Sequence, residues 1–199
     1  MGESIYALSQ PDFSAEVTKI KAMSPQPDVI VTSAFEPDFP AFIRQLRGAG
    51  VAIPVVCGDG IDSPTTFALG DVVEGVVFTS SGFPAPGSPM ATYQDKYQQK
   101  YGKAPESIMD ALGYDLAKII EAAVIKADSI EPQKIRDALA DLENVQGATA
   151  IISYKGGNGT PTRPVNVIRI EGGKRTLVSQ KAPDPAIVPA PRLDLNAAQ

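Results

Sequence analysis

Residues 29–57 read VIVTSAFEPDFPAFIRQLRGAGVAIPVVC, and the alternation of apolar runs and breakers in this stretch decides the fold class. Val29-Ile30-Val31 is an unbroken β-branched run, the pattern of a strand buried on both faces. Ser33-Ala34-Phe35-Glu36-Pro37 reads as a loop. Phe39, Phe42, Ile43 and Leu46 then recur at helical spacing on one face, and Gly48 and Gly50 end that helix. Ile53 to Cys57 is a second apolar strand.

Upstream, residues 3–8 read as a strand. Asp12 and Ser14 offer capping oxygens to a helix whose apolar face is Phe13, Val17 and Ile20, and Pro25 and Pro27 stop it. Downstream come the loop Gly58-Asp59-Gly60, a cap with proline at the first helical position in Ser63-Pro64, and a buried strand at Val76-Val77-Phe78. Residues 3–79 therefore read β-α-β-α-β-α-β, an α/β fold with a parallel sheet covered by helices on both faces.

The character changes at residues 82–89, where glycines and prolines indicate a crossing segment. Ser88-Pro89 opens a helix carrying Tyr93 and Tyr97 to about Tyr101, with Gly102 as its cap. Residues 107–127 form the longest helix, with Ile108, Leu112, Leu116, Ile119, Ala123 and Val124 inward. Pro132 opens another, with Ile135, Ala138, Leu139 and Leu142 inward. Strands follow at Ala148 to Tyr154, Val165 to Ile170 and Thr176 to Val178, with glycine-rich turns at 156–159 and at Gly172-Gly173. From Pro183 the chain reads as an extended, proline-rich tail.

Composition excludes several classes. The chain has 199 residues, 18 basic against 23 acidic, and its lysines and arginines are scattered, which argues against a nucleic-acid partner. There is no histidine and a single cysteine, so a Cys/His zinc site, an internal disulfide and a histidine base are all excluded, and no cofactor is expected. No stretch approaches the ~20 apolar residues of a membrane span. Gly2-Glu3-Ser4 follows Met1 without the basic region of a signal peptide.

In a parallel α/β sheet, ligands bind beyond the carboxyl ends of the strands. That singles out Ser33, Ala34 and Phe35 after one strand, and Gly58, Asp59 and Gly60 after the next. The flanking glycines permit unusual backbone angles and close ligand approach, and the Asp59 carboxylate suits a ligand ammonium; Gly-Asp-Gly is equally ordinary turn chemistry. Phe35 either walls a pocket or covers the sheet edge. Asn158-Gly159-Thr160 fits a glycosylation sequon or a turn, and Lys155 reads as solvated. Cys57, without a histidine partner, reads as structural, and Asp110 and Asp115 as cap or surface residues of their helix.

The order and spacing of motifs resemble the type I periplasmic binding proteins for branched-chain amino acids, the venus-flytrap receptors of ABC importers. Residues 12–21 followed by Pro27-Asp28-Val29-Ile30, and residues 42–47 followed by Gly50, resemble successive helices of that family. Tyr93, Tyr97, Tyr101-Gly102, Pro105, Gly113-Tyr114-Asp115 and Gly147-Ala148-Thr149-Ala150-Ile151 resemble its later signature, with Ala150 replacing a usual glycine. The likeness spans residues 3–178 and covers only the back half of such a protein. It implies that residues 1–82 are most of the second lobe, 83–146 return helices of the first, 147–180 hinge-crossing and closing strands, and 181–199 a tail. Met1 then marks an artificial or misannotated start, or the start of a genuinely shortened protein.

The resemblance also implies roles. Phe35 stands where the family offers an aromatic side chain, often tyrosine, and Asp59 where it offers an acid, often glutamate, for the ligand's ammonium. Ser33, Ala34 and Gly58 flank them, and Ala111 stands where a further aromatic contact would fall. The carboxylate grip belongs to the absent front part, so weak binding or none is expected of the chain alone. An exposed sheet edge is expected too, with instability, pairing with another chain or completion by a separate front-half polypeptide as its consequences. The implied partners are an amino acid or similar small molecule and a membrane ABC permease. The implied location is periplasmic, or lipid-anchored outside the cytoplasm. The alternatives are a cytoplasmic amide or amino-acid sensor of the same fold and an α/β enzyme. The enzyme lacks a histidine, a nucleophile elbow and a phosphate loop to support it.

Overall fold

A computed structural model describes residues 2–157 and 159–184. Two compact units share the chain: unit 1 comprises the residues up to Ser80 together with Val167–Ser179, and unit 2 comprises Ser81–Asn166 and the described residues from Gln180.

Unit 1 is built on a five-stranded sheet in the order β1-β2-β3-β6-β7. Strands β1 (Ile30–Thr32), β2 (Val55–Cys57) and β3 (Val77–Ser80) run parallel, with Thr32 beside Cys57 and Cys57 beside Phe78. Helix α2 (Asp38–Gly48) connects the first pair, and the short α3 (Pro64–Phe67) lies between β2 and β3. Strands β6 (Val165–Glu171) and β7 (Lys174–Lys181) form a hairpin whose turn places Gly172 and Gly173 at φ +56° and +70°. The Glu74 carboxylate accepts the Gly172 N–H at 3.0 Å and pins that turn. Phe39, Ile43 and Leu46 of α2 are fully buried, as are Phe78 and Ile170 of the sheet. Each such side chain contributes about 1.5–3 kcal/mol of burial free energy. Helix α1 (Ser14–Lys21) enters this core through Phe13, whose ring stands edge-on to Phe42 at 5.6 Å.

Three expectations for this region fail. Residues 3–8 form no strand, because no sheet edge pairs with them; Ile5 and Leu8 are 88% and 72% exposed. Strand β1 is not buried on both faces either. Among the described residues it lies at the edge of the sheet, with β2 as its one neighbour, and Val31 is 74% exposed. Helix α1 also ends at Lys21, before the prolines; its cap position, Phe13, makes no side-chain capping bond, while Asp12 accepts the Ser14 N–H at 2.9 Å as expected. The Ser63 cap forms as expected, its Oγ accepting the Thr66 N–H at 3.3 Å.

Unit 2 holds α4 (Pro89–Tyr101), α5 (Ile108–Ala127), α6 (Pro132–Ala140) and a small antiparallel hairpin of β4 (Val145–Gln146) and β5 (Ile151–Ile152). Ser88 caps α4, accepting from Ala91 N–H at 3.1 Å, and Gly102 ends it at φ +71°. Ser107 and Asp110 form a reciprocal capping box on α5, as expected of Asp110. Ile119, Ala123, Leu142 and Ile152 make one buried cluster, with Ile135 and Leu139 packed against it. Leu116 departs from its expected inward position and is exposed.

Asp115 is neither cap nor surface. It is buried, and its carboxylate accepts from the N–H groups of Ala148 and Thr149 and from the Thr149 hydroxyl. Arg163 donates to the same hydroxyl oxygen at 2.7 Å and to the Ser81 carbonyl. Gly147 makes this approach possible: a Cβ there would lie 2.5 Å from Asp115 Oδ1. The sequon residue Asn158 and the tail from residue 185 lie outside the described residues. Among the described residues no helix is long and apolar enough to cross a membrane.

Candidate functional site

Because β1 and β2 are adjacent and parallel, the loops that leave them emerge side by side at the carboxyl edge of the unit 1 sheet. Two contacts join the loops. The Cys57 thiol donates to the Ala34 carbonyl at 3.2 Å, and Gly60 packs under Phe35. A Cβ at Gly60 would stand 2.6 Å from the Phe35 Cβ. The glycine is required by close approach rather than by an unusual φ: Gly58 is extended, and Gly60 has no positive φ. Gly60→Ala is expected to force the loops apart and to cost about 1–3 kcal/mol, the range for overpacking, read as a lowered denaturant midpoint.

The expected site residues sit close together but in different environments. Phe35 is 46% exposed, Ser33 and Asp59 are exposed, and Gly58 is half-buried. Ala34 is buried, and both its backbone groups are engaged: its N–H bonds the Thr32 hydroxyl at 3.0 Å and its carbonyl accepts from Cys57. Asp59 opens a 3-10 turn whose first carbonyl accepts the Asp62 N–H at 3.0 Å, and its carboxylate takes no ion-pair partner among the described residues. The arrangement presents an aromatic ring and a carboxylate on neighbouring loops, which suits an amphipathic ligand bearing a positive group. Burial pushes the Cys57 thiol up to about 11, so it stays protonated and unreactive near neutral pH.

Behind Asp59 lies a network that sequence reading did not find. Asp62 is buried, accepts from the Ser80 hydroxyl, and pairs with Arg175 at 3.1 Å. Arg175 also stands over the Phe67 ring at 5.3 Å. Burial holds the Asp62 carboxyl above its ordinary value, although Ser80 and Arg175 pull it down; the charge of Asp59 adds to the rise. The Ser63 hydroxyl donates to Glu36, giving the two loops a third tie.

Ala111, which stands where the resemblance would put a further aromatic contact, is fully buried among Met90, Ile108 and Ala148. Lys155 is exposed and paired with Glu143 at 2.8 Å. Among the described residues no cluster of His, Cys, Asp or Glu could hold a metal ion. Cavities of about 520 and 610 Å³ are lined by neither Phe35 nor Asp59: one lies beside Tyr93, Tyr97 and Tyr114 in unit 2, the other along β1 in unit 1, where Ala34 joins its lining.

A family model for periplasmic binding proteins matches residues 1–175. The chain belongs to the periplasmic binding protein family. The family is one of solute-binding receptors, and the parallel-dominant sheet with helices is its type I fold. The Leu/Ile/Val-binding protein BraC3 of Rhizobium johnstonii is 25% identical over 165 residues, covering 82% of this chain and 44% of BraC3. The crystal structure of the leucine-binding protein LivK of Thermotoga maritima is 31% identical with a TM-score of 0.79, covering 90% of this chain and 51% of that one. LivJ of Streptococcus pneumoniae, crystallised with isoleucine, shares the fold at a TM-score of 0.75 and 23% identity, with 90% and 51% covered. The chain thus spans about half the length of these relatives.

Proposed function

We propose that the chain is the ligand-binding back part of an ABC-importer receptor for branched-chain or related amino acids. The observation that carries this reading is the pairing of exposed Phe35 and Asp59 on adjacent loops at the carboxyl edge of the unit 1 sheet. Relatives with Leu/Ile/Val-binding names support the ligand class. In this reading the Asp59 carboxylate holds the ligand ammonium and the Phe35 ring packs the side chain. Ser33 and Gly58 supply polar backbone contacts, and the buried Ala34 fixes the loop. Binding proceeds by hinge closure without catalysis. Groups that grip the ligand carboxylate come from polypeptide outside the 199 residues. The working protein is extracytoplasmic and delivers to a membrane permease.

Titration of isotope-labelled chain with millimolar leucine, followed by NMR, tests this directly. Shifts are expected at residues 33–35 and 58–60. Asp59→Ala should weaken binding about 10- to 100-fold, the worth of one hydrogen bond to a charged group. Shifts confined to other residues, or an unchanged affinity in Asp59→Ala, would remove the basis for the assignment.

A further inference from the structure

Asp59 is exposed, and its direction is set by the turn that begins with it. Gly58 and Gly60 flank it and bring no side chain to hold the loop, and glycine loses more conformational freedom on ordering than any other residue. Within the turn the hold falls to Ile61 and Asp62. Ile61 is fully buried. Asp62 closes the turn by donating its N–H to the Asp59 carbonyl at 3.0 Å, and its own carboxylate is gripped from two sides. One oxygen, Oδ2, accepts from the Ser80 hydroxyl at the end of β3. The other, Oδ1, accepts from the Arg175 guanidinium of β7 at 3.1 Å. That guanidinium lies over the Phe67 ring of α3. Three elements of unit 1 thus converge on the residue whose backbone closes the turn.

We propose that Arg175 is a positioning residue for the ligand ammonium: through Asp62 it keeps the turn at residues 59–62 closed and so aims the Asp59 carboxylate. The proposal deepens the ligand reading above and rests on it for the role of Asp59. A buried ion pair is a poor source of net stability, because desolvation offsets most of the attraction between its charges. What this pair supplies is orientation, since each oxygen of Asp62 takes a donor from a different strand. With the Arg175 donor gone, Oδ1 faces a dry site without a partner. The side chain then turns toward water, and the N–H of the same residue leaves the Asp59 carbonyl. Asp59 samples several directions, and a ligand must order it on binding. The effect is confined to what Asp59 touches: an ammonium loses affinity, and an apolar tail against Phe35 does not.

Two variants of the full chain test it. Arg175→Met removes the guanidinium and keeps an unbranched apolar chain over Phe67, while Arg175→Lys keeps a cation. Amide hydrogen exchange reads the turn. The reference is the Ile170 amide, which bonds the Val76 carbonyl at 3.0 Å in the same unit and reports its general opening. In Arg175→Met the Asp62 amide should exchange about tenfold or more faster relative to Ile170. Arg175→Lys should stay within about threefold of the parent ratio. The ligand arm uses isoamylamine, which carries leucine's tail and ammonium without its carboxylate, and isoamyl alcohol, which lacks the ammonium. NMR titration should show amine binding weakened about 3- to 10-fold in Arg175→Met, the cost of ordering one loosened side chain on binding, with alcohol binding unchanged. Equal acceleration of both amides, or equal weakening of amine and alcohol, would make Arg175 merely structural and overturn the proposal. If the parent binds neither probe nor leucine, the ligand reading fails and takes the ammonium role with it, while the exchange ratio still decides whether Arg175 holds the turn.

Discussion

Asp115→Ala is expected to lower the stability of unit 2 by about 3–5 kcal/mol, the cost of breaking a buried, charge-assisted network. The Asp115 carboxylate accepts from two backbone N–H groups and the Thr149 hydroxyl in a buried position. Alanine leaves those donors in a dry environment without partners, and each unsatisfied group carries its own desolvation cost. Arg163 keeps the Thr149 hydroxyl oxygen, so its Thr149 contact survives while the loop at 147–149 loses its anchor. Asp115→Asn should fall between parent and alanine, because an amide offers one acceptor oxygen where the carboxylate offers two. Guanidinium unfolding monitored by circular dichroism gives the answer, and an unchanged midpoint for the alanine variant would show that the loop holds itself.

The second large effect is expected at Arg175. Arg175→Ala removes the cation from a buried carboxylate and should cost about 3 kcal/mol, the lower end of the range for breaking a buried pair. The lower end applies because the Arg175 side chain is 28% exposed while that of Asp62 is 1% exposed. Asp62→Asn should cost far less, within about 1 kcal/mol, because it removes the charge whose burial is penalised and keeps an acceptor for Ser80. The pH dependence has a definite sign. Burial raises the folded-state pKa of Asp62 above its unfolded value, outweighing Ser80 and Arg175. The stabilisation from protonating it is therefore fully present below the ordinary carboxylate range and is lost as pH rises through the raised folded value. Asp62→Asn should flatten the stability curve across that window. A curve of unchanged shape would mean that another group controls it.

Local chemistry was legible in the sequence alone. The caps at Ser63 and Ser88 formed as read, because a cap depends on donors within one turn of the residue. The alternation around residues 29–57 gave parallel strands joined by a helix, because apolar periodicity states which faces must be buried. That Phe35 and Asp59 each follow one of two consecutive strands is a statement about chain order, and the sequence carries it.

Tertiary structure alone decided the rest. An apolar run such as Val29-Ile30-Val31 does not say whether it has one neighbour or two, and among the described residues β1 has one. Gly60 looked like a turn residue until Phe35 was seen above it. Asp115 and Ala148 are 33 positions apart, and Asp62 and Arg175 are 113 apart. No local pattern encodes such pairs. They exist because packing brings a carboxylate and its donors into one dry place, where each must satisfy the other or be paid for in stability.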